Sequence, residues 1–217
     1  MYDSRWVAVV PVKDPKLAKS RLGPQLEPWR TDLAAAFATD LLTALLASSR
    51  VEFVVVVGGR RLPTDLLDHD RLRTLPDPGD LNAAVSHGIA WARQQQPTAA
   101  TLVLAADLPA ATDAVIDRLL DSVPSGPLHV IPDLEGIGST GLLLGPETEM
   151  TPAFGDASLA RHQAAGAAVV ELPGIERLRR DVDTADQLAA AVDLGVGERT
   201  RSVLTEMAAA TPPRLLP

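Results

Sequence analysis

The sequence predicts an α/β fold built on a mostly parallel mixed sheet with helices on both faces. Three observations lead there. Uninterrupted apolar runs recur without the alternation of half-exposed strands. Segments with apolar residues at helical spacing lie between them, and turn or charged residues close the runs, as at Gly58-Gly59 and Asp107.

Taken in order, residues 6–12 (WVAVVPV) read as a buried strand, and residues 32–46 as a helix with Leu33, Phe37, Leu41, Leu42 and Leu45 on one face. Residues 53–57 (FVVVV) form a second strand, 81–95 a second helix, and 101–106 (TLVLAA) a third strand that stops at Asp107. Thr112 opens a helix over 112–123. Shorter strands are expected over 128–131, 140–144 and 168–171. A Thr184-x-x-Gln187 capping box introduces a helix over 184–194, and another follows over 198–210. No repeat, low-complexity tract or linker breaks the pattern. At 217 residues the chain is expected to form one domain over 1–217 with its core at about 6–199, and the Pro-rich tail 211–217 is expected to fray.

Composition narrows the function classes. A net charge of −8 argues against a general nucleic-acid or anionic-membrane surface, so any phosphate must be met locally. The absence of Cys excludes disulfides and thiolate chemistry, and the four scattered His make a His-rich zinc site improbable. No apolar run reaches the ~18 residues of a membrane span, and the charged start lacks a signal core. The cytoplasm is the default expectation. Only three of the 20 basic residues are Lys, and all three fall between positions 13 and 19.

In open α/β sheets ligands bind beyond the carboxyl ends of strands, so the residues after each apolar run carry the first candidates. Lys13, Lys16, Lys19 and Arg21 follow the first strand, a cationic loop suited to a polyphosphate, although a solvated basic turn would read the same. No Walker motif is present. Asp107 ends a fully apolar strand, and Asp181 and Asp183 precede a helix. Such acids also serve as turn and cap formers, but two separated acids with a Lys/Arg loop would together suit metal-assisted nucleotidyl or phosphoryl transfer. The Gly136-x-Gly138-x-x-Gly141 spacing matches a dinucleotide fingerprint, yet an apolar strand follows it where a helix is required. Its small residues, and those around Gly155, are instead expected to let backbone N–H groups approach an anion.

The segments VPVK…AKSRL (10–22), DPGDLNAAV (77–85), ADLP (106–109), GSTGLLL (138–144), FGDASLARH (154–162) and LRRDVDTADQL (178–188) occur together and in order. In them the chain resembles the guanylyltransferases of coenzyme F420 biosynthesis, which act on phosphoenolpyruvate or 2-phospho-L-lactate. The likeness covers about residues 6–199. It implies a Rossmann-like, GT-A-like nucleotidyltransferase fold and Mg²⁺-dependent transfer of GMP from GTP to a small phosphorylated three-carbon acid, with release of pyrophosphate. It further implies Asp107 and Asp181 as metal ligands and Thr140, Gly155 and Ser158 as contacts to the phospho-acid. Lys13, Lys19 and Arg21 are implied as catalytic and GTP-phosphate-binding residues, with Gly79 and Asn82 against the nucleoside. The chain departs from the pattern at Ala106 and Ser139, where Gly is frequent. A nucleotidyltransferase with another base or acceptor, and a non-catalytic nucleotide binder, remain open at this point, as do 3-phosphoglycerate as acceptor, a homo-oligomer, and hand-off of the unstable product to a downstream transferase.

Overall fold

The computed structural model describes residues 5–13, 22–23, 26–59, 62–124 and 126–210. Seven strands form one sheet: β1 (Trp6–Val12), β2 (Val51–Gly58), β3 (Leu72–Leu75), β4 (Ala100–Leu104), β5 (Leu128–Pro132), β6 (Ser139–Leu144) and β7 (Ala168–Val169). Their spatial order is β3-β2-β1-β4-β6-β5-β7. All pairings are parallel except those of β6, which runs antiparallel to both β4 and β5. The expected mixed, mostly parallel sheet is therefore present. Beyond β1 the chain first winds through β2 to β3, then returns to place β4 on the other side. The carboxyl ends of β1 and β4 thus flank the topological switch point, the crevice where such sheets take ligands.

β1 and β4 are buried at every residue, which is why they read as continuous apolar runs. Side chains alternate across the sheet. Trp6, Ala8, Val10 and Val12 join Leu41, Leu45, Ile116 and Leu119 from α1 (Arg30–Ala47) and α4 (Asp113–Ser122). Val7 and Val9 face the opposite layer, with Val85 and Ile89 of α3 (Leu81–Gln95). The short α2 (Thr64–Leu67) leads into β3.

α5 (Ser158–Ala164) and α6 (Glu176–Arg179) follow β6 and β7. Then α7 (Ala185–Leu194) and α8 (Glu198–Ala210) cover the outer side of α1, where Leu188, Ala191 and Val196 close over Leu33 and Phe37. This third layer explains why α1 buries Ala36, Thr39 and Asp40 as well as its apolar stripe. The capping box of α7 is complete, Thr184 and Gln187 exchanging side-chain and backbone bonds.

The structure departs from the expected elements in places. β4 ends at Leu104, two residues early, because Ala105 turns its N–H to the Thr140 carbonyl at the edge of the ladder. β7 shortens to two residues. β3 is additional, an edge strand whose Arg73 and Thr74 face solvent and so leave no apolar run to read. The tail 211–217 lies outside the described residues.

α3 approaches β1 closely because residue 88 is glycine. A Cβ there would stand 2.3 Å from Cγ1 of Val9 and 3.2 Å from Cγ2 of Val57. Gly88→Ala is expected to lower stability by about 1–3 kcal/mol through overpacking, more than the ~1 kcal/mol that alanine adds to helix propensity. Urea unfolding should give a lower midpoint, and a midpoint raised by the substitution would contradict the close approach.

Candidate active site

Asp107 leaves the carboxyl end of β4, and Asp181 lies 74 residues later, between α6 and α7. One backbone bond brings them together: the N–H of Val182 donates to the Asp107 carbonyl at 3.1 Å. Val182 itself is fully buried against Leu33, Phe37 and Leu188, which anchors the strand of chain carrying Asp181 and Asp183. A fourth acid, Asp133, follows β5 and acts on Asp181 as well. Arg179 binds the carbonyls of Pro132 and Asp133, and Leu134 donates to the Arg179 carbonyl, so the segment before Asp181 is laced to the β5–β6 turn.

The electrostatic consequence falls on Asp181. Burial above all, then the charges of Asp107, Asp183 and Asp133, push its carboxyl up to about 7. Its Oδ1 is buried and accepts no hydrogen bond among the described residues. Anionic groups gathered with an open acceptor oxygen form a donor set of the kind a hard divalent cation takes. No group of three or more His, Cys, Asp or Glu among the described residues could hold a metal by itself.

The expected nucleotide-side residues divide. Lys13 follows β1 at the switch point and shares a narrow cleft with Gly79, lined by Val57, Asp77 and Leu81 as well. Lys19 and Arg21 lie outside the described residues. Gly79 adopts φ +90° within a turn closed by its N–H on Asp77, and Asp80 caps α3 by accepting from Ala83. Asn82 has a structural task that its sequence position did not reveal. Its Oδ1 accepts from the Phe154 N–H at 2.8 Å and its Nδ2 donates to the Phe154 carbonyl at 3.2 Å, clamping the 79–82 segment to the 154–158 loop.

The expected phospho-acid residues do converge. Thr140 is the extra residue of a bulge: Ile131 pairs with Gly141 and Pro132 with Ser139. Its hydroxyl donates to the Leu178 carbonyl at 2.7 Å, so toward a bound anion this side chain is not a donor. Ser139, next to it, donates to Ser158 at 2.9 Å, which joins the start of β6 to the start of α5. Gly155 precedes them at φ +113°, with the Arg161 guanidinium 3.4 Å from where a Cβ would stand. Arg161 is an exposed cation at the edge of this loop, and the signal for it in the sequence is the Arg161-His162 pair of the 154–162 motif. Part of the Gly136–Gly141 segment expected to open N–H groups to an anion is already occupied. Asp133 already accepts from Ile137 and Gly138, at 2.9 and 2.7 Å.

His162 is fully buried behind Ser139, and burial, reinforced by Arg161, lowers its pKa to about 4. The folded state therefore resists a proton that the unfolded chain accepts near 6.5. Stability from this residue is complete above 6.5 and is lost as pH falls toward 4. Buried His129 shifts in the same direction. As pH falls from 7.5 to 4.5, His162→Gln should gain stability relative to the natural chain, read as the difference between their unfolding free energies, and a difference that stays constant removes His162 from the account.

A separate groove of about 580 Å³ lies against α7 and α8, lined by Leu22, Leu26, Leu188, Val192, Leu204 and Met207, and among the described residues the charged side chain on it is the acid Asp193, a lining unsuited to a polyanion.

Comparison with known proteins bears on the family and the fold. Residues 20–192 match the MobA-like NTP transferase domain. A phosphoenolpyruvate guanylyltransferase of Streptomyces avermitilis is 40% identical over 94% of this chain and 95% of its own length. Among solved structures, a protein described as a nucleotide-diphospho-sugar transferase from Desulfovibrio desulfuricans G20 superposes with TM-score 0.68 at 18% identity, covering 96% of both chains. A Mycobacterium tuberculosis H37Rv protein solved in complex with manganese superposes at 0.51 and 16% identity, over 88% of this chain and 98% of its own. These two likenesses speak to the fold.

Proposed function

This chain belongs to the MobA-like NTP transferases and, within them, to the phosphoenolpyruvate guanylyltransferase family, and from that premise we propose that it transfers GMP from GTP to phosphoenolpyruvate and releases pyrophosphate. The observation that carries the reading is the meeting of Asp107 and Asp181 at the switch point, with Asp181 held at about 7 by burial and like charge. 2-Phospho-L-lactate is the second acceptor of the same chemical class, and synthesis of coenzyme F420 is the context that either acceptor fits.

The reaction needs alignment and charge neutralisation more than proton transfer. A phosphate oxygen of the acid attacks the α-phosphorus of GTP, a new P–O bond forms, and the bond to the β-phosphate oxygen breaks to release pyrophosphate. The attacking oxygen is already ionised, so no base has to remove a proton. Asp107 and Asp181 are the residues that would hold Mg²⁺, whose charge would neutralise the phosphates and stabilise the leaving pyrophosphate. Lys13, with Lys19 and Arg21 a few residues further along the sequence, supplies cations to the GTP phosphates. Gly79 lets the backbone come close to the nucleoside, while Asn82 holds that segment against the 154–158 loop. Gly155 and Ser158 receive the phospho-acid, and Thr140 shapes its site through the backbone.

Pyrophosphate release from the purified protein with Mg²⁺ and GTP tests the reading, offering phosphoenolpyruvate, 2-phospho-L-lactate and 3-phosphoglycerate in turn, with ATP and CTP as controls. Release with GTP and phosphoenolpyruvate is the expected result. Release only with ATP or CTP, or with none of the three acids, overturns it.

A further inference from the structure

We propose that Ser139 and His162 are positioning residues that turn the Ser158 hydroxyl into a fixed hydrogen-bond donor toward an ionised carboxylate or phosphate oxygen of the acceptor substrate. This rests on the reading above, in which Ser158 touches the phosphorylated acid.

The orientation follows from one backbone group. The N–H of Ala153 donates to His162 Nε2 at 3.1 Å, so that nitrogen must present its lone pair. In a neutral imidazole the proton then sits on Nδ1, which lies 2.9 Å from Ser139 Oγ and donates to it. Ser139 in turn directs its hydroxyl hydrogen to Ser158 Oγ, again at 2.9 Å. Each link fixes the next. The hydrogen of Ser158 cannot point back along the chain, and no acceptor for it is found among the described residues. An ionised carboxylate or phosphate oxygen, which can only accept, takes that hydrogen in a charge-assisted bond, whereas an N–H group, which can only donate, does not match it.

The surroundings keep the relay in this state. Ser158 is 2% exposed and His162 fully buried, so water competes little for either. Phe154 packs edge-on against the imidazole, with centroids 5.0 Å apart and planes at 71°, which limits rotation of the ring. Burial, with Arg161 nearby, favours the neutral ring that the Ala153 contact requires.

Four proteins test the relay by pyrophosphate release with GTP and phosphoenolpyruvate: the natural chain, Ser139→Ala, His162→Asn and His162→Gln. An asparagine amide can donate from the place of Nδ1, whereas glutamine can accept from Ala153 but does not restore that donor. Ser139→Ala and His162→Gln should raise KM for phosphoenolpyruvate about three- to tenfold, the size of one hydrogen bond, with KM for GTP and kcat nearly unchanged. His162→Asn should stay within about twofold of the natural chain. Unchanged KM for phosphoenolpyruvate in Ser139→Ala, an equal rise in both KM values, or loss in His162→Asn matching that in His162→Gln overturns the relay alone. No turnover by the natural chain overturns the functional reading and this inference with it. A readout independent of activity is the imidazole ¹⁵N spectrum of the natural chain. The Nδ1–H tautomer is expected for His162, and the Nε2–H tautomer overturns the proposal whatever the variants do.

Discussion

Asp107→Asn and Asp181→Asn should each lower kcat by at least about a hundredfold, equivalent to roughly 2.7 kcal/mol of barrier, in a folded protein. The two should nonetheless differ in stability. Asp181 carries the burden of burial and of three neighbouring acids, so its ionised form is disfavoured in the folded state. Its folded pKa, about 7, stands above the ordinary 3.8, and the protein loses stability as pH rises from about 4 to 7, with the full loss present above 7. Asp181→Asn removes that charge. At pH 8 it should be more stable than the natural chain by on the order of 2 kcal/mol, or several degrees in Tm, and the gain should fade toward pH 4. A group kept at a cost to the fold is the signature of a site tuned for binding rather than stability. Paired melts and pyrophosphate assays decide the matter: full activity in either variant refutes the metal assignment, and a less stable Asp181→Asn refutes the electrostatic account.

Asp40→Ala should destabilise the protein by about 2–4 kcal/mol, the largest effect expected away from the active site. Asp40 sits in the middle of α1, where an acid is usually exposed, yet it is only 7% exposed. Its two oxygens accept from the N–H groups of Arg199 and Thr200, both at 2.9 Å, and so cap α8 from 159 residues away. Removing it leaves two donors at a buried helix start without acceptors. Gly197 belongs to the same device, because a Cβ there would stand 2.4 Å from the Asp40 carboxyl carbon. Circular dichroism and urea titration should show a lower midpoint with early loss of helix signal. Asp40→Asn keeps one acceptor and should fall between the two. A midpoint unchanged in Asp40→Ala removes the cap from the account.

The central architecture was legible because burial and periodicity are local. Trp6–Val12 and Leu81–Gln95 appear with the bounds that their apolar patterns predict, and Thr184 and Gln187 specify the start of α7 within four residues. The short elements were not legible. β3 depends on an edge position beside β2, and α6 on packing Leu178 beneath the sheet, neither of which leaves a period in four residues. Within the site, the acids could be named from their places after strands and before helices, but not their mutual approach. Asn82 illustrates the limit: position suggested a ligand contact, while the structure gives its amide to Phe154.

The alternation of strands and helices, the carboxyl-end positions of Lys13 and Asp107, and the motifs that place the chain in its family are all written in the order of residues. Each depends on residues near one another in the chain, whose propensities and spacing are written in order. Folding across the chain is what ties Asp181 to Asp107 through Val182, gives the N–H groups of Ile137 and Gly138 to Asp133, and brings His162, Ser139 and Ser158 within hydrogen-bond reach. Those outcomes depend on hydrogen bonds and burial between distant segments, and burial is what lifts Asp181 and lowers His162, because the charged form of either loses water that only a folded neighbourhood takes away.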